Sequence, residues 1–86
     1  MLAALAGIKV VELGQLIAGP FAAKTLADFG ADVIKIEPPA TTAGEGGDPL
    51  RKWRLLHNGT SVWWQVQSRN KKSVALDLRR EEGRAI

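Results

Sequence analysis

The sequence contains no cysteine, which excludes disulfides, thiolate nucleophiles and Cys-ligated zinc and removes any argument for an oxidising compartment. Its single histidine, His57, stands beside Asn58-Gly59, a turn signal, with no second His and no Cys to complete a metal site. No apolar run approaches the roughly 18 residues needed to span a bilayer. The opening MLAALAGIKVVEL has no basic segment of the kind that begins a secretory signal. A soluble, cytoplasmic protein is expected. Internal repeats and low-complexity tracts are absent as well, setting aside solenoid and linker architectures.

The 86 residues are 45% hydrophobic and 24% charged, the balance of an ordinary globular chain. A chain of this size buries roughly 60% of its unfolded surface, so only a modest core is available. The formal charge is +3. Its basic excess falls after Leu50, in Arg51, Lys52, Arg54, Arg69, Lys71, Lys72, Arg79, Arg80 and Arg84. That half of the chain would attract an anion, although solvated surface charge accounts for it equally well.

Ile8, Val10, Val11 and Leu13 predict a mostly buried first strand ended by Gly14. A loop leads to Pro20, whose fixed φ suits the start of a helix. Ala22, Leu26 and Phe29, joined by Ala23, recur at helical spacing opposite Lys24 and Asp28, and Gly30 supplies the stop. Asp32 to Glu37 is a second β-branched run, ended by Pro38-Pro39. Strand, helix and strand form a βαβ unit, hence an α/β fold with parallel pairing. Residues 38–60 read as a long, mobile loop. Ser61 to Gln67 fits either a strand or a short helix. Ser73 to Leu78 reads as a third strand and Arg80 to Ile86 as a helix entry cut within the element, which implies truncation.

Open α/β sheets bind ligands at the carboxyl ends of their strands, where a helix N-terminus offers free N–H groups. The candidate here is Gln15 to Gly19. It is not a dinucleotide fingerprint, since Gly14 and Gly19 are separated by Gln15-Leu16-Ile17-Ala18, and no Walker lysine follows. A tight strand-to-helix turn explains the two glycines without any ligand. Trp53, Trp63 and Trp64, interleaved with Arg51, Lys52, Arg54 and Arg69, fit base stacking with phosphate neutralisation, an adenine nucleotide, or plain packing of large aromatics. Glu12, Asp32, Glu37 and Asp77 lie near strand ends, but the sequence pairs none of them into a catalytic constellation.

The segments LAGIKVVELGQLIAGPFAAKTLADFGADVIKIEPP, GDPLRKW and SRNKKSVALDLRREEGR, in that order, resemble the start of class III CoA-transferases, the family of formyl-CoA and carnitine CoA-transferases and the related α-methylacyl-CoA racemase. The resemblance runs from Leu5 to the last residue. It implies that residues 1–86 are the incomplete N-terminal part of a Rossmann-like large domain, within interlocked homodimers that transfer CoA between an acyl-CoA and a small carboxylate. The cofactor expectation is coenzyme A as substrate, with nothing tightly bound and no metal; neither nucleic acid nor membrane is an expected partner. The resemblance further implies that the nucleophilic aspartate lies beyond this chain, so the chain holds no catalytic residue and is inactive alone. Carried over by position, Ile17 and Ala18 lie along CoA, while Leu76, Asp77, Leu78 and Arg79 meet its adenosine-phosphate end, with Arg79 the phosphate partner. Three positions depart from the formyl-CoA transferase pattern: Pro38 replaces an arginine, Ile17 a glutamine and Gln15 a histidine.

Overall fold

The computed structural model describes residues 3–40 and 46–86. Its elements are β1 (Lys9–Glu12), α1 (Ala18–Asp28), β2 (Asp32–Glu37), a 3-10 turn (Pro49–Lys52), β3 (Leu56–His57), β4 (Thr60–Ser61), α2 (Val62–Gln67), β5 (Lys71–Ala75) and α3 (Glu81–Arg84). β1, β2 and β5 form a parallel sheet in that order, as the βαβ reading requires. β3 and β4 make a separate antiparallel hairpin. Asn58 and Gly59 turn it, both at positive φ as a two-residue Asn-Gly turn demands.

In a strand, successive side chains point to opposite faces. Lys9 pairs with Asp32, and Val33 with Lys71. One face of the sheet therefore carries Val10 and Glu12, then Val33, Lys35 and Glu37, then Lys71, Ser73 and Ala75. α1 packs on the amino-terminal end of this face, where Ala23, Ala27, Ala31 and Val33 form the buried core and Leu5 and Val10 close it. The opposite face carries Val11, Leu13, Ile34, Ile36, Val74 and Leu76, which together with Leu78 and Ile86 line an open apolar hollow of about 400 Å³.

This arrangement corrects four expectations. The first strand is not mostly buried: Val11 and Leu13 are 65% and 63% exposed, because they stand on the uncovered face. α1 does not bury Ala22, Leu26 and Phe29; all three are exposed, and Pro20, Ala23 and Ala27 face the sheet. Small residues win there because they let the helix backbone approach the strands closely. The stretch 38–60 is not structureless. Asp48 caps the 3-10 turn by accepting from Leu50 N–H at 2.9 Å, and the β3–β4 hairpin follows it; residues 41–45 lie outside the described part. The open choice at 61–67 resolves as helix, with Ser61 as N-cap. The third strand, expected over Ser73 to Leu78, spans Lys71–Ala75 instead, and Leu76 to Leu78 follow it outside the strand.

Candidate functional site

Residues at the carboxyl ends of all three parallel strands converge on one cleft of about 210 Å³. Leu13 and Gln15 come from the end of β1. Ile36, Glu37 and Pro38 come from the end of β2, and Leu76 to Arg79 from the segment after β5. The cleft thus gathers Leu76, Asp77, Leu78 and Arg79, four of the six residues expected to meet CoA. Ile17 and Ala18 are not among its lining residues; they form the N-cap and first residue of α1. Ile17 gives its carbonyl to Phe21 N–H at 2.8 Å and to Gln67 Nε2 at 3.4 Å. Gln15 takes their place at the cleft edge.

The β1–α1 loop has a fixed shape. Gly14 and Gly19 approach so closely that a Cβ on either would stand 2.9 Å from the Cα of the other, so both positions require glycine. Leu16 between them has φ 63°, a left-handed conformation that costs a bulky residue about 1–2 kcal/mol. Tertiary hydrogen bonds offset that cost. Asp48 accepts from Leu16 N–H, at 3.0 Å to Oδ1 and 3.3 Å to Oδ2, and Lys35 Nζ donates to the Gly14 carbonyl at 3.0 Å.

Beneath the loop lies a charge network that periodicity did not show. Lys35 Nζ is 2.5 Å from Glu12 Oε2 and 2.9 Å from Asp48 Oδ2. Lys71 Nζ is 2.6 Å from Glu12 Oε1 and donates to the Pro20 carbonyl. Glu37 accepts from Arg51 Nε and Nη2, both at 2.8 Å, from Ser73 Oγ at 2.6 Å and from Asp48 N–H at 2.7 Å. Three carboxylates thus face three cations, so the cluster is neutral overall. Without such pairing, burying these charges would cost several kcal/mol each.

Burial pushes the Glu37 carboxyl up, but the donors on Arg51, Ser73 and Asp48 N–H outweigh it and hold the group at about 2. The hydrogen bond to Glu37 raises Arg51 further above its usual range. Burial pulls the Lys71 ammonium down, with Glu12 opposing. In the cleft, Asp77 is held below the usual carboxylate range by Arg79, which donates to Asp77 Oδ1 from its backbone N–H at 3.0 Å and from Nε at 3.1 Å. The Arg79 side chain is otherwise 78% exposed and points an always-charged donor fork at solvent.

The tryptophans form no open stacking stripe. Trp53 and Trp63 meet edge to face at 5.7 Å, the Arg51 guanidinium lies 4.0 Å from the centre of the Trp64 ring, and Arg54 lies over Trp53. Arg51 thereby links the aromatic cluster to Glu37 and the sheet. His57 is exposed, with its Nε2 3.4 Å from Asn58 Nδ2.

A parallel sheet with its strand-end loops gathered on one cleft accommodates many chemistries, and sequence comparison narrows the choice. The sequence model of CoA-transferase family III matches residues 5–86. The chain belongs to this family. Among its relatives, the succinyl-CoA–D-citramalate CoA-transferase of Chloroflexus aurantiacus is 51% identical over 80 residues, covering 92% of this chain and 19% of the relative. The human succinyl-CoA:glutarate CoA-transferase is 40% identical over 80 residues, covering 92% of this chain and 17% of the relative. The crystal structure of a CAIB/BAIF family protein from Brucella suis superimposes with TM-score 0.81 at 39% identity, over 99% of this chain and 22% of that one. The chain therefore spans about a fifth of the length of these family III proteins. No helix among the described residues is long and apolar enough to cross a membrane.

Proposed function

We propose that this segment is the N-terminal part of the large domain of a CoA-transferase that moves CoA between an acyl-CoA and a small carboxylate acceptor, and that it contributes one wall of the CoA site. The observation that carries the reading is the strand-end cleft, where Leu76 and Leu78 offer apolar surface and Arg79 an exposed guanidinium suited to a phosphate. Ile17 and Ala18, at the amino end of α1, extend this wall along the CoA chain. CoA acts as a substrate, with no tightly bound cofactor, in a cytoplasmic homodimer.

The nucleophilic carboxylate comes from the remainder of the full-length protein. Two facts support that assignment: Glu12, Glu37 and Asp48 are each committed to ion pairs or backbone donors, and Asp77 is committed to Arg79. The remainder of the protein also covers the apolar sheet face formed by Val11, Ile34, Ile36 and Val74. Parallel sheets are stable with both faces covered, and the relatives are about five times longer than this segment.

The test is CoA exchange between succinyl-CoA and a panel of dicarboxylates by the full-length protein, with Arg79→Ala beside the unsubstituted enzyme. Exchange with an acyl-CoA KM raised about tenfold by the substitution, the loss of roughly one charge-assisted contact, supports the reading. Exchange of the α-proton of an acyl-CoA without CoA transfer would assign the protein to a racemase-like reaction instead.

A further inference from the structure

Gln15 is the β1–α1 loop residue that reaches the cleft edge, and it occupies an unusual position in the backbone. The peptide group before it, through the Gly14 carbonyl, is held by Lys35. The peptide group after it, through Leu16 N–H, is held by Asp48. Lys35 and Asp48 are themselves an ion pair at 2.9 Å with side chains 1% exposed. One comes from the middle of β2 and the other from the cap of the 3-10 turn, 32 residues beyond Leu16. Asp48 is fixed in turn by its N–H on Glu37, which Arg51 and Ser73 brace. Both planes flanking the Gln15 Cα are thus set by one buried pair, and the adjoining Leu16 adopts a conformation that its side chain disfavours.

We propose that Lys35 and Asp48 are positioning residues for the acyl-CoA site, acting through Gln15: they lock its backbone so that its side chain is presented to the cleft, and they make the turn at residues 48–52 part of the binding apparatus although it does not line the cleft. This inference rests on the CoA-cleft reading above. Asparagine at position 48 keeps an oxygen for the Leu16 and Leu50 N–H groups that Oδ1 accepts, but it loses the charge that pairs with Lys35 and directs an amide donor into a cationic neighbourhood.

The experiment uses the full-length protein and measures KM for the acyl-CoA donor in Asp48→Asn, Gln15→Ala and the double variant, with Arg79→Ala as a control on the cleft itself. The expected result is a rise of about tenfold in each single variant, little change in KM for the carboxylate acceptor, and a double variant no worse than the poorer single. Such non-additivity is the mark of two residues acting as one unit. A merely structural Asp48 gives effects that multiply, or a fall in stability with KM unchanged, and either result overturns the inference. If Arg79→Ala raises KM and Asp48→Asn does not, the positioning role alone fails; if neither does, the cleft reading fails with it. Should Asp48→Asn not fold, amide hydrogen exchange on the unsubstituted protein decides the matter. Added CoA is expected to protect residues 14–18 and 46–52 together and leave the β3–β4 hairpin unchanged, whereas protection of 14–18 alone overturns the coupling.

Discussion

The two faces of the sheet invert the usual partition of residues. The face under α1 and the 3-10 turn buries Glu12, Lys35, Glu37 and the end of Lys71, whereas the opposite face leaves Val11 and Leu13 in solvent with Ile34 and Ile36 half-buried. The difference is one of role. The charged face ties distant loops to the strand ends by directed contacts that tolerate one geometry. Among the described residues the apolar face carries one exposed ion pair, Lys72–Asp32 at 3.4 Å, and its apolar side chains fit any surface of matching shape, which suits a face completed by more of the same protein.

Removing the centre of the charged face should have the largest effect. Lys35→Met leaves Glu12 with one cation and takes from Asp48 its ion-pair partner, and a loss of about 3–5 kcal/mol is expected from breaking a buried pair on one side. Urea unfolding of the full-length protein measures it. A loss below 1 kcal/mol would mean that the two faces do not differ as described.

Acid should attack the same face through Glu37. Its carboxyl is depressed from 4.5 to about 2 in the folded chain, so its contribution is present above pH 4.5 and is lost as the pH falls toward 2. The full shift corresponds to about 3 kcal/mol, and to about 2 kcal/mol once solvent reaching the half-exposed Arg51 is allowed for. Glu37→Gln should flatten the acid limb of a stability-against-pH curve over that window and lower the plateau near neutrality. An unchanged acid limb would remove Glu37 from the account.

The apolar face gives a smaller effect with a sharper contrast. Val11→Thr should cost less than about 0.5 kcal/mol in the 86-residue chain, where the side chain is mostly in water. In the full-length protein the same change should cost about 1–2 kcal/mol, since a covered apolar group is then replaced by a hydroxyl. Equal costs in the two settings would argue against a cover on this face. Smallest of all is the Lys24–Asp28 pair on the outside of α1, 3.1 Å apart. Lys24→Ala should change stability by about 0.3 kcal/mol, with the difference fading in high salt.

The same contrast explains what was legible in the sequence. Strand, helix and strand could be read because Gly14, Gly30 and Pro38 punctuate runs of apolar residues, and a parallel pair follows from that order. The charged face was legible only in part. Lys35 and Glu37 alternate with Ile34 and Ile36, the period-2 sign of two different faces, but a run rich in β-branched residues reads as apolar throughout. Asp48 sits in a glycine-rich stretch with no periodicity, and its partners Leu16 and Lys35 are distant in sequence, so local pattern carries no trace of them. α1 misled in a similar way: Leu26 and Phe29 carry the hydrophobicity, but close packing on the sheet selected Ala23 and Ala27. Leu76 to Arg79 were named through family resemblance and are found around one cleft. Gln15 was legible as the start of the candidate loop Gln15 to Gly19 and as a departure from the family pattern, whereas the Lys35–Asp48 pair that holds the peptide groups on either side of it was not.

The most direct test is a crystal structure of the full-length protein with CoA bound. The account predicts the adenosine-phosphate end of CoA against Leu76 to Leu78 with the Arg79 guanidinium on a phosphate, and Gln15 at the edge of the occupied cleft. CoA bound elsewhere, with the strand-end cleft filled by the protein's own side chains, would contradict it.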